Sequence, residues 1–168
     1  EMISVVGVNK ENEDIIGHTA ALKEELSGLY EMAVAFVNPR YRGGGCLKKT
    51  SIFLIELLKE KNAEGIFVHA VTTHPYSQKA AYKLNLRGTA LFLSRLTPLL
   101  MTEIKDEDQG RESLLRMHLI IRPPEPKTIY APQHHAEMIA RIYENVGIPV
   151  TIISDDPGNN EENEMAEI

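Results

Sequence analysis

The stretch that decides the fold reads Val37-Asn38-Pro39-Arg40-Tyr41-Arg42-Gly43-Gly44-Gly45-Cys46-Leu47-Lys48-Lys49. Before it, apolar side chains alternate over residues 29–37, which predicts a β-strand that ends at Pro39. After it, a run without glycine or proline has apolar residues at helical spacing, which predicts a helix over about residues 48–62. Gly65 ends this helix, and the β-branched and apolar run Ile66–Val71 is typical of a buried parallel strand. The stretch therefore joins the strand and the helix of a predicted βαβ unit.

The glycine turn has the chemistry of an anion site. A strand that runs through glycines into a helix presents unpaired backbone N–H groups and the positive end of the helix dipole. Four cations and no acid stand in this stretch, namely Arg40, Arg42, Lys48 and Lys49. The phosphate-binding motif of nucleotide hydrolases, G-x-x-x-x-G-K-[ST], does not occur, and neither does the dinucleotide-binding motif G-x-G-x-x-G. The sequence therefore favours neither nucleotide hydrolases nor dinucleotide oxidoreductases. The turn predicts a pyrophosphate site, and the alternative is a flexible loop with solvated lysines.

The rest of the chain divides into three predicted segments. Residues 1–100 begin with a hairpin over residues 2–22 and end with a short helix, Ser77–Leu84, and a strand, Gly88–Leu93. Residues 101–154 hold a polar loop, a strand at Leu114–Ile121, a proline-rich connector, a short strand and a helix from Pro132 to Val146. Residues 155–168 are an acidic tail with the composition of disordered chain.

Charge and composition exclude several classes of protein. The 18 basic and 24 acidic residues give a net charge of −6, and the six acids of residues 155–168 account for all of it. We therefore expect no nucleic-acid partner. No run approaches the ~18 apolar residues of a membrane span, so we expect no membrane partner. Cys46 is the one cysteine, no histidines stand at zinc-site spacing, and no secretion signal is recognised. These features favour a cytoplasmic protein without a metal.

The stretch Val37–Gly45 resembles the V-x-P-x-x-R-G-x-G opening of the coenzyme A loop in the GNAT superfamily of N-acetyltransferases. The pattern R-x-x-G-x-G/A is met at Arg42 and Gly45 and missed at Leu47. The resemblance covers residues 2–97 and implies an α/β fold with a mixed central sheet and flanking helices. To this fold we add a C-terminal extension of strand, linker and helix. The family begins with a strand and two helices that this sequence does not show before Glu1, so the chain resembles a fragment or a divergent member.

The resemblance also implies a ligand and a reaction. Acetyl-CoA is the expected co-substrate, with its pyrophosphate on the turn and first helical residues and its pantetheine arm on the end of the third strand. The implied binding residues are Phe36, Val37, Arg42, Gly43, Gly44, Gly45, Cys46, Leu47 and Lys48. The reaction is attack of an amine, from a small molecule or a protein, on the thioester carbonyl. The alternative is a catalytically silent module that binds coenzyme A, or no ligand, and regulates a partner.

Two catalytic candidates follow the fourth strand. Family members often carry a general acid in a Y-x-K-L-G-F pattern, and this chain has Ala81-Tyr82-Lys83-Leu84-Asn85-Leu86, with Tyr82 one residue out of register. His74 stands where the active crevice is expected, and an imidazole can act as acid or base near neutral pH. Glu31 is a weaker candidate for a base acting through water. Residues 111–153 either replace the missing N-terminal elements or begin a second similar domain, and association with another domain or a second copy stays open.

Overall fold

The computed structural model describes residues 1–96 and 111–154, which belong to two compact units, Glu1–Arg122 and Pro123–Ile168. The first unit contains strands β1 (Met2–Val8), β2 (Ile15–Lys23), β3 (Leu29–Val37), β4 (Gly65–Val71), β5 (Arg87–Leu96) and β6 (Glu112–Ile120). Helix α1 (Cys46–Glu60) connects β3 to β4, and α2 (Tyr76–Lys83) connects β4 to β5. The predicted polar loop Lys105–Gly110 and the predicted acidic tail lie outside the described residues. No described helix has the length and apolar character that a membrane crossing needs.

The strands of the first unit form a mixed sheet in the order β1-β2-β3-β4-β6-β5. β1 and β2 form the predicted hairpin, with Met2 opposite Leu22, and β3 pairs with β4 in parallel. β6 enters the sheet between β4 and β5 and is antiparallel to both. The α/β architecture expected from the sequence is thus confirmed.

The apolar faces of α1 and α2 explain why these segments are helices. Leu54 and Leu58, one turn apart on α1, are fully buried against Val5, Ala21 and Tyr30 of the sheet. A smaller cluster under α2 joins Ala81 and Leu86 to Ala70 of β4 and Met117 of β6. Removing a leucine of the first cluster would cost about 2–5 kcal/mol, because the side chain is lost and a cavity is left. The two clusters lie on the same side of the sheet, so both helices pack against one face.

The boundary between the two compact units lies after residue 100, where the sequence analysis ended the first segment. β6 pairs along its length with β4, from Gly65 opposite Ile120 to Val71 opposite Leu114. The residues expected to begin the C-terminal extension therefore complete the main sheet, and the division falls between Arg122 and Pro123. The proline connector that follows cannot continue the ladder, because proline lacks the backbone N–H.

The second unit is a small βαβ arrangement. It contains β7 (Lys127–Tyr130), α3 (Gln133–Asn145) and β8 (Val150–Ile153), with Lys127 opposite Val150 in a parallel pair. The predicted short strand and helix are present, whereas β8 was not predicted. No residue of α3 is fully buried.

Candidate functional site

β3 carries a β-bulge in its pairing with β2, close to the point where its pairing with β4 ends. Thr19 of β2 faces two residues of β3, Val34 and Ala35, because the register shifts between Ala20–Ala33 and His18–Phe36. Val34 has a φ of 49°, which is rare for a β-branched residue. The parallel ladder between β3 and β4 ends at the pair Glu31–Phe67. Beyond this pair, the described residues of β3 and β4 form no further ladder pair.

A cavity of about 520 Å³ lies where β3 and β4 diverge. Apolar side chains make most of its wall, among them Met32 and Ala35 of β3, Val68 of β4 and Ala81 of α2. The start of α1 and most of α2 form the remaining wall. The cavity is thus an apolar slot between two strands, with two helices along it.

The glycine turn brings a helix N-terminus to this cavity. The Asn38 side chain accepts the N–H of Arg40 at 3.1 Å, which fixes the start of the turn. Gly45 has a φ of 74°, a conformation that glycine adopts without strain, and α1 begins at the next residue. The helix has no side-chain N-cap and no acid in its first turn. Its first N–H groups, near Leu47 and Lys48 in the cavity wall, are therefore available to an anion.

The charged residues of the cavity wall are cationic. Lys48 of α1 and Lys79 and Lys83 of α2 line it, and no acid is found among its described lining residues. Lysine ammonium groups bind phosphates as point charges, so three of them beside a helix N-terminus favour a ligand with several phosphates. The wall therefore combines an apolar interior with a cationic, N–H-rich region.

The structure brings only part of the predicted ligand set to the cavity. Gly45, Leu47 and Lys48 line it, whereas Arg42, Gly43 and Gly44 do not. Cys46 is buried on the side of the β1–β2 hairpin, where a Cβ added at Gly7 or Gly17 would lie 2.8 or 2.7 Å from its Sγ. Its role in the described structure is packing rather than contact with the cavity.

The bulge also removes the predicted pantetheine residues from the cavity wall. Phe36 is 54% exposed and stacks on His18, with ring centroids 5.4 Å apart. Val37 pairs with Gly17 in the ladder with β2. Met32 and Ala35 line the cavity in their place, because an extra residue in a strand reverses which side chains face each side of the sheet.

Neither predicted catalytic side chain lines the cavity. His74 accepts the backbone N–H of Tyr76 at 3.3 Å through Nδ1 and so closes the turn before α2. Tyr82 is 48% exposed, and its ring lies 5.8 Å from the Arg87 guanidinium. Ala81, the neighbour of Tyr82, is the buried residue in the cavity wall.

Other hydroxyl groups occupy the cavity wall near the start of α2. Tyr76 and Ser77 both line it. The Ser77 Oγ is buried and has no hydrogen-bond partner within residues 1–96 and 111–154. A buried hydroxyl without a partner is costly, so this group is available to a ligand.

A histidine that the sequence reasoning missed lies at the same place. His69 of β4 lines the cavity, and its Nδ1 is 2.9 Å from Oε1 of Glu31 on β3. Its ring meets those of Phe67 and Phe92 at centroid distances of 5.4 and 5.7 Å. The signal that could have found it is a single polar residue in the otherwise apolar run Ile66–Val71.

A second histidine, His118 of β6, lies close to His69 and Phe67 and is neutral near pH 7. Burial, and after it the charge of the Arg116 guanidinium, lowers the pKa of His118 to about 4. Arg116 lies over the Phe67 ring at 3.8 Å and pairs with Glu24 at 3.5 Å. A hydrogen bond from Ser27 and then the Arg116 charge lower the pKa of Glu24. This sheet face therefore carries an ion pair and a neutral imidazole.

Comparison with known proteins identifies the fold. No family model and no curated protein matches the chain. Among solved structures, a chimera of a spermidine N-acetyltransferase from Vibrio cholerae covers 71% of this chain and 67% of its own, with 11% identity and a TM-score of 0.60. A ribosomal-protein-alanine N-acetyltransferase from Escherichia coli covers 69% and 67%, with 13% identity and a TM-score of 0.56. A GCN5-related N-acetyltransferase from Kribbella flavida covers 71% and 67%, with 15% identity and a TM-score of 0.59. The chain therefore has the GNAT fold.

Proposed function

We propose that this protein transfers an acyl group from acyl-coenzyme A, with acetyl-CoA as the donor, to an amine. The observation that carries the proposal is the cavity between β3 and β4, which joins an apolar slot to a helix N-terminus and three lysines. Coenzyme A has an uncharged pantetheine arm, which suits the apolar slot, and a phosphate-rich end, which suits the helix N-terminus and the lysines. The acetyltransferase names of the structural neighbours agree with this assignment.

The residues present fit each part of the donor. The N–H groups at the start of α1, with Lys48, would hold the pyrophosphate. Lys79 and Lys83 would balance further phosphate charge. The arm would lie between the diverging strands, where the backbone of β3 or β4 can bind an extended chain like an added strand. Bound there, the donor would supply an activated thioester carbonyl to the acceptor amine.

A proton for the departing thiolate would come from a hydroxyl of the cavity wall. Tyr76 and Ser77 line the cavity, whereas Tyr82 points to solvent beside Arg87. We therefore assign this role to the start of α2 rather than to Tyr82 or His74. Replacing Tyr82 by phenylalanine should leave turnover unchanged within a factor of two.

A silent module that binds coenzyme A is the second candidate. Ala81, which occupies the wall at the position of the resembled family's acid, favours it. The two candidates make the same prediction for binding and opposite predictions for turnover. The amine acceptor is open, and spermidine and a peptide with a free amino-terminal alanine are suitable probes because structural neighbours act on a polyamine and on a protein alanine.

The binding test is a calorimetric titration of the chain with coenzyme A, using two charge reversals as a matched pair. Lys48 lines the cavity and the adjacent Lys49 does not. A glutamate at either position is compatible with the first turn of a helix, so both variants should fold. We expect Lys48→Glu to weaken binding at least tenfold and Lys49→Glu to weaken it less than threefold. Absence of binding to the unmodified chain at millimolar ligand would refute both candidates.

The turnover test follows thioester loss from acetyl-CoA with spermidine and with the alanyl peptide. Loss above the rate without protein, together with acetylated amine in the mass spectrum, is the expected result. Binding of coenzyme A without any thioester loss would decide for the silent module.

A further inference from the structure

The sheet face opposite α1 and α2 carries a polar cluster that meets the cavity wall at His69. Along β4, Ile66, Val68 and Ala70 pack toward the helices. Phe67 and His69 therefore point to the other face, because side chains alternate along a strand. His69 also belongs to the cavity wall, two residues beyond the last β3–β4 pair. It is thus a residue at which the slot and this face meet.

The hydrogen bond with Glu31 determines which nitrogen of His69 can accept a proton. A carboxylate only accepts hydrogen bonds, so the proton of a neutral His69 lies on Nδ1, which donates to Glu31 Oε1 at 2.9 Å. Nε2 then keeps its lone pair, and no partner for it is found in the described part of the chain. The side chains of His69 and Glu31 are 27% and 38% exposed, so substrate and water can reach the pair.

The His69 imidazole lies among aromatic rings and beside the Glu31 carboxylate. The rings of Phe67 and Phe92 approach it edge-on and limit its rotation. Of the charged groups facing it, Arg116 of β6 is paired with Glu24, and the adjacent His118 is neutral above about pH 4. Glu31 remains as the group that can stabilise an imidazolium. This is the relation in which a carboxylate orients a histidine base.

We propose that His69 is the general base that deprotonates the acceptor amine, with Glu31 as its positioning residue, an inference that rests on the proposed acyl transfer. Nε2 takes a proton from the acceptor ammonium, and the nitrogen lone pair forms the bond to the thioester carbonyl carbon. The C–S bond breaks, and its electron pair leaves on the coenzyme A sulfur. Of the two protons that the nitrogen loses in the whole reaction, one ends on that sulfur and the other passes to solvent.

The test compares His69→Gln with Glu31→Gln in the full chain. A glutamine at position 69 can still donate to Glu31 but cannot take a proton. We expect it to lower kcat at least 100-fold with spermidine or the alanyl peptide, within the range that acid–base groups contribute. The affinity for coenzyme A should stay within threefold of the wild-type value. Glu31→Gln should lower kcat about tenfold or more, since the amide orients the ring less well.

Chemical rescue separates a base from a structural residue. In His69→Ala, added imidazole should raise kcat at least tenfold, because it can occupy the space left by the ring. His118→Gln is the matched control, since it removes another imidazole from the same cluster without touching Glu31, and its kcat should stay within threefold. Calorimetry and circular dichroism on each variant check binding and folding; if His69→Ala does not fold, His69→Gln alone decides on the loss of kcat.

The outcomes distinguish this inference from the proposed function. A His69→Gln variant that keeps more than a fifth of kcat, or a His69→Ala variant that folds and is not rescued, overturns the role of His69. A wild-type chain that binds coenzyme A but consumes no acetyl-CoA with either amine also overturns it and leaves the binding site intact. A wild-type chain that does not bind coenzyme A overturns the proposed function itself.

Discussion

The bulge at Val34 can be tested with Val34→Asn, a type of substitution that ordinarily destabilises a β-strand. Val34 has a φ of 49°, and its side chain is 61% exposed. The left-handed conformation costs an ordinary residue roughly 1–2 kcal/mol, and asparagine tolerates it much better. The burial lost in Val34→Asn is small, about 0.5 kcal/mol for a side chain that is mostly exposed. The variant should therefore be more stable than wild type by about 0.5–1 kcal/mol.

The same exchange at Val6 of β1 is the matched control. Val6 is 46% exposed and has ordinary extended backbone. Val6→Asn loses burial and strand propensity and should cost about 1–2 kcal/mol. Urea unfolding of the two variants, followed by circular dichroism, should separate their midpoints by roughly 1 M for an m-value near 2 kcal/mol/M. Equal destabilisation by the two substitutions would mean that Val34 is not left-handed and that β3 has no bulge at this residue.

Three further predictions follow from charge and packing. Lys79→Gln should weaken coenzyme A binding about fivefold, or ~1 kcal/mol, with a smaller effect at high salt, whereas Lys59→Gln on α1 outside the cavity should leave the Kd unchanged in calorimetry. The pKa of His118 is about 6.5 in the unfolded chain and about 4 in the folded chain, so the unfolded state binds more protons between these two pH values. The free energy of unfolding should therefore fall as the pH falls through this window. This loss is roughly 1–2 kcal/mol after solvent screening, and urea titrations at pH 7 and pH 4.5 should show it reduced in His118→Gln; an unchanged pH dependence in that variant would contradict the assignment. Gly17→Ala places a Cβ 2.7 Å from the Cys46 Sγ and 3.0 Å from the Phe36 carbonyl oxygen, and it should lower the free energy of unfolding in urea by about 1–3 kcal/mol. Cys46→Ala should recover part of this loss, and additive effects of the two substitutions would refute the contact.

Local signals in the sequence were enough to predict most of the first unit. The period-two strand before Pro39, the glycines and the amphipathic helix predicted β3, α1 and the return of β4 in parallel. The helix begins at Cys46 instead of about residue 48, since the left-handed Gly45 ends the turn directly before it. The partner of β6 could not be predicted in this way, because pairing between distant strands depends on the packed sheet rather than on local pattern. The strand was therefore assigned to a separate segment.

The site was predicted where it depends on backbone and missed where it depends on register. Gly45, Leu47 and Lys48 follow from the glycine turn alone. Strict alternation along β3 would place Phe36 on the same face of the sheet as Met32, and the one extra residue at the bulge turns Phe36 to the other face. Nothing in the sequence around Val34 indicates this, since valine is an unfavourable residue for a positive φ.

The catalytic candidates show the same limit of sequence reasoning. Tyr82 stood out as a hydroxyl near the expected position, and the helix rotates it by about 100° from the wall that Ala81 occupies. The contact between His69 and Glu31 joins side chains of neighbouring parallel strands, and a local sequence pattern does not indicate which residues of two such strands meet. Only the folded chain reveals it.

Binding of coenzyme A in the cavity between β3 and β4 can be tested directly by an NMR titration of the isotopically labelled chain with coenzyme A. The backbone amide signals of residues 45–48 and 68–70 should shift in a saturable way, because both segments contribute to the cavity wall. A titration at millimolar ligand that leaves the signals of residues 45–48 unshifted would contradict binding in this cavity.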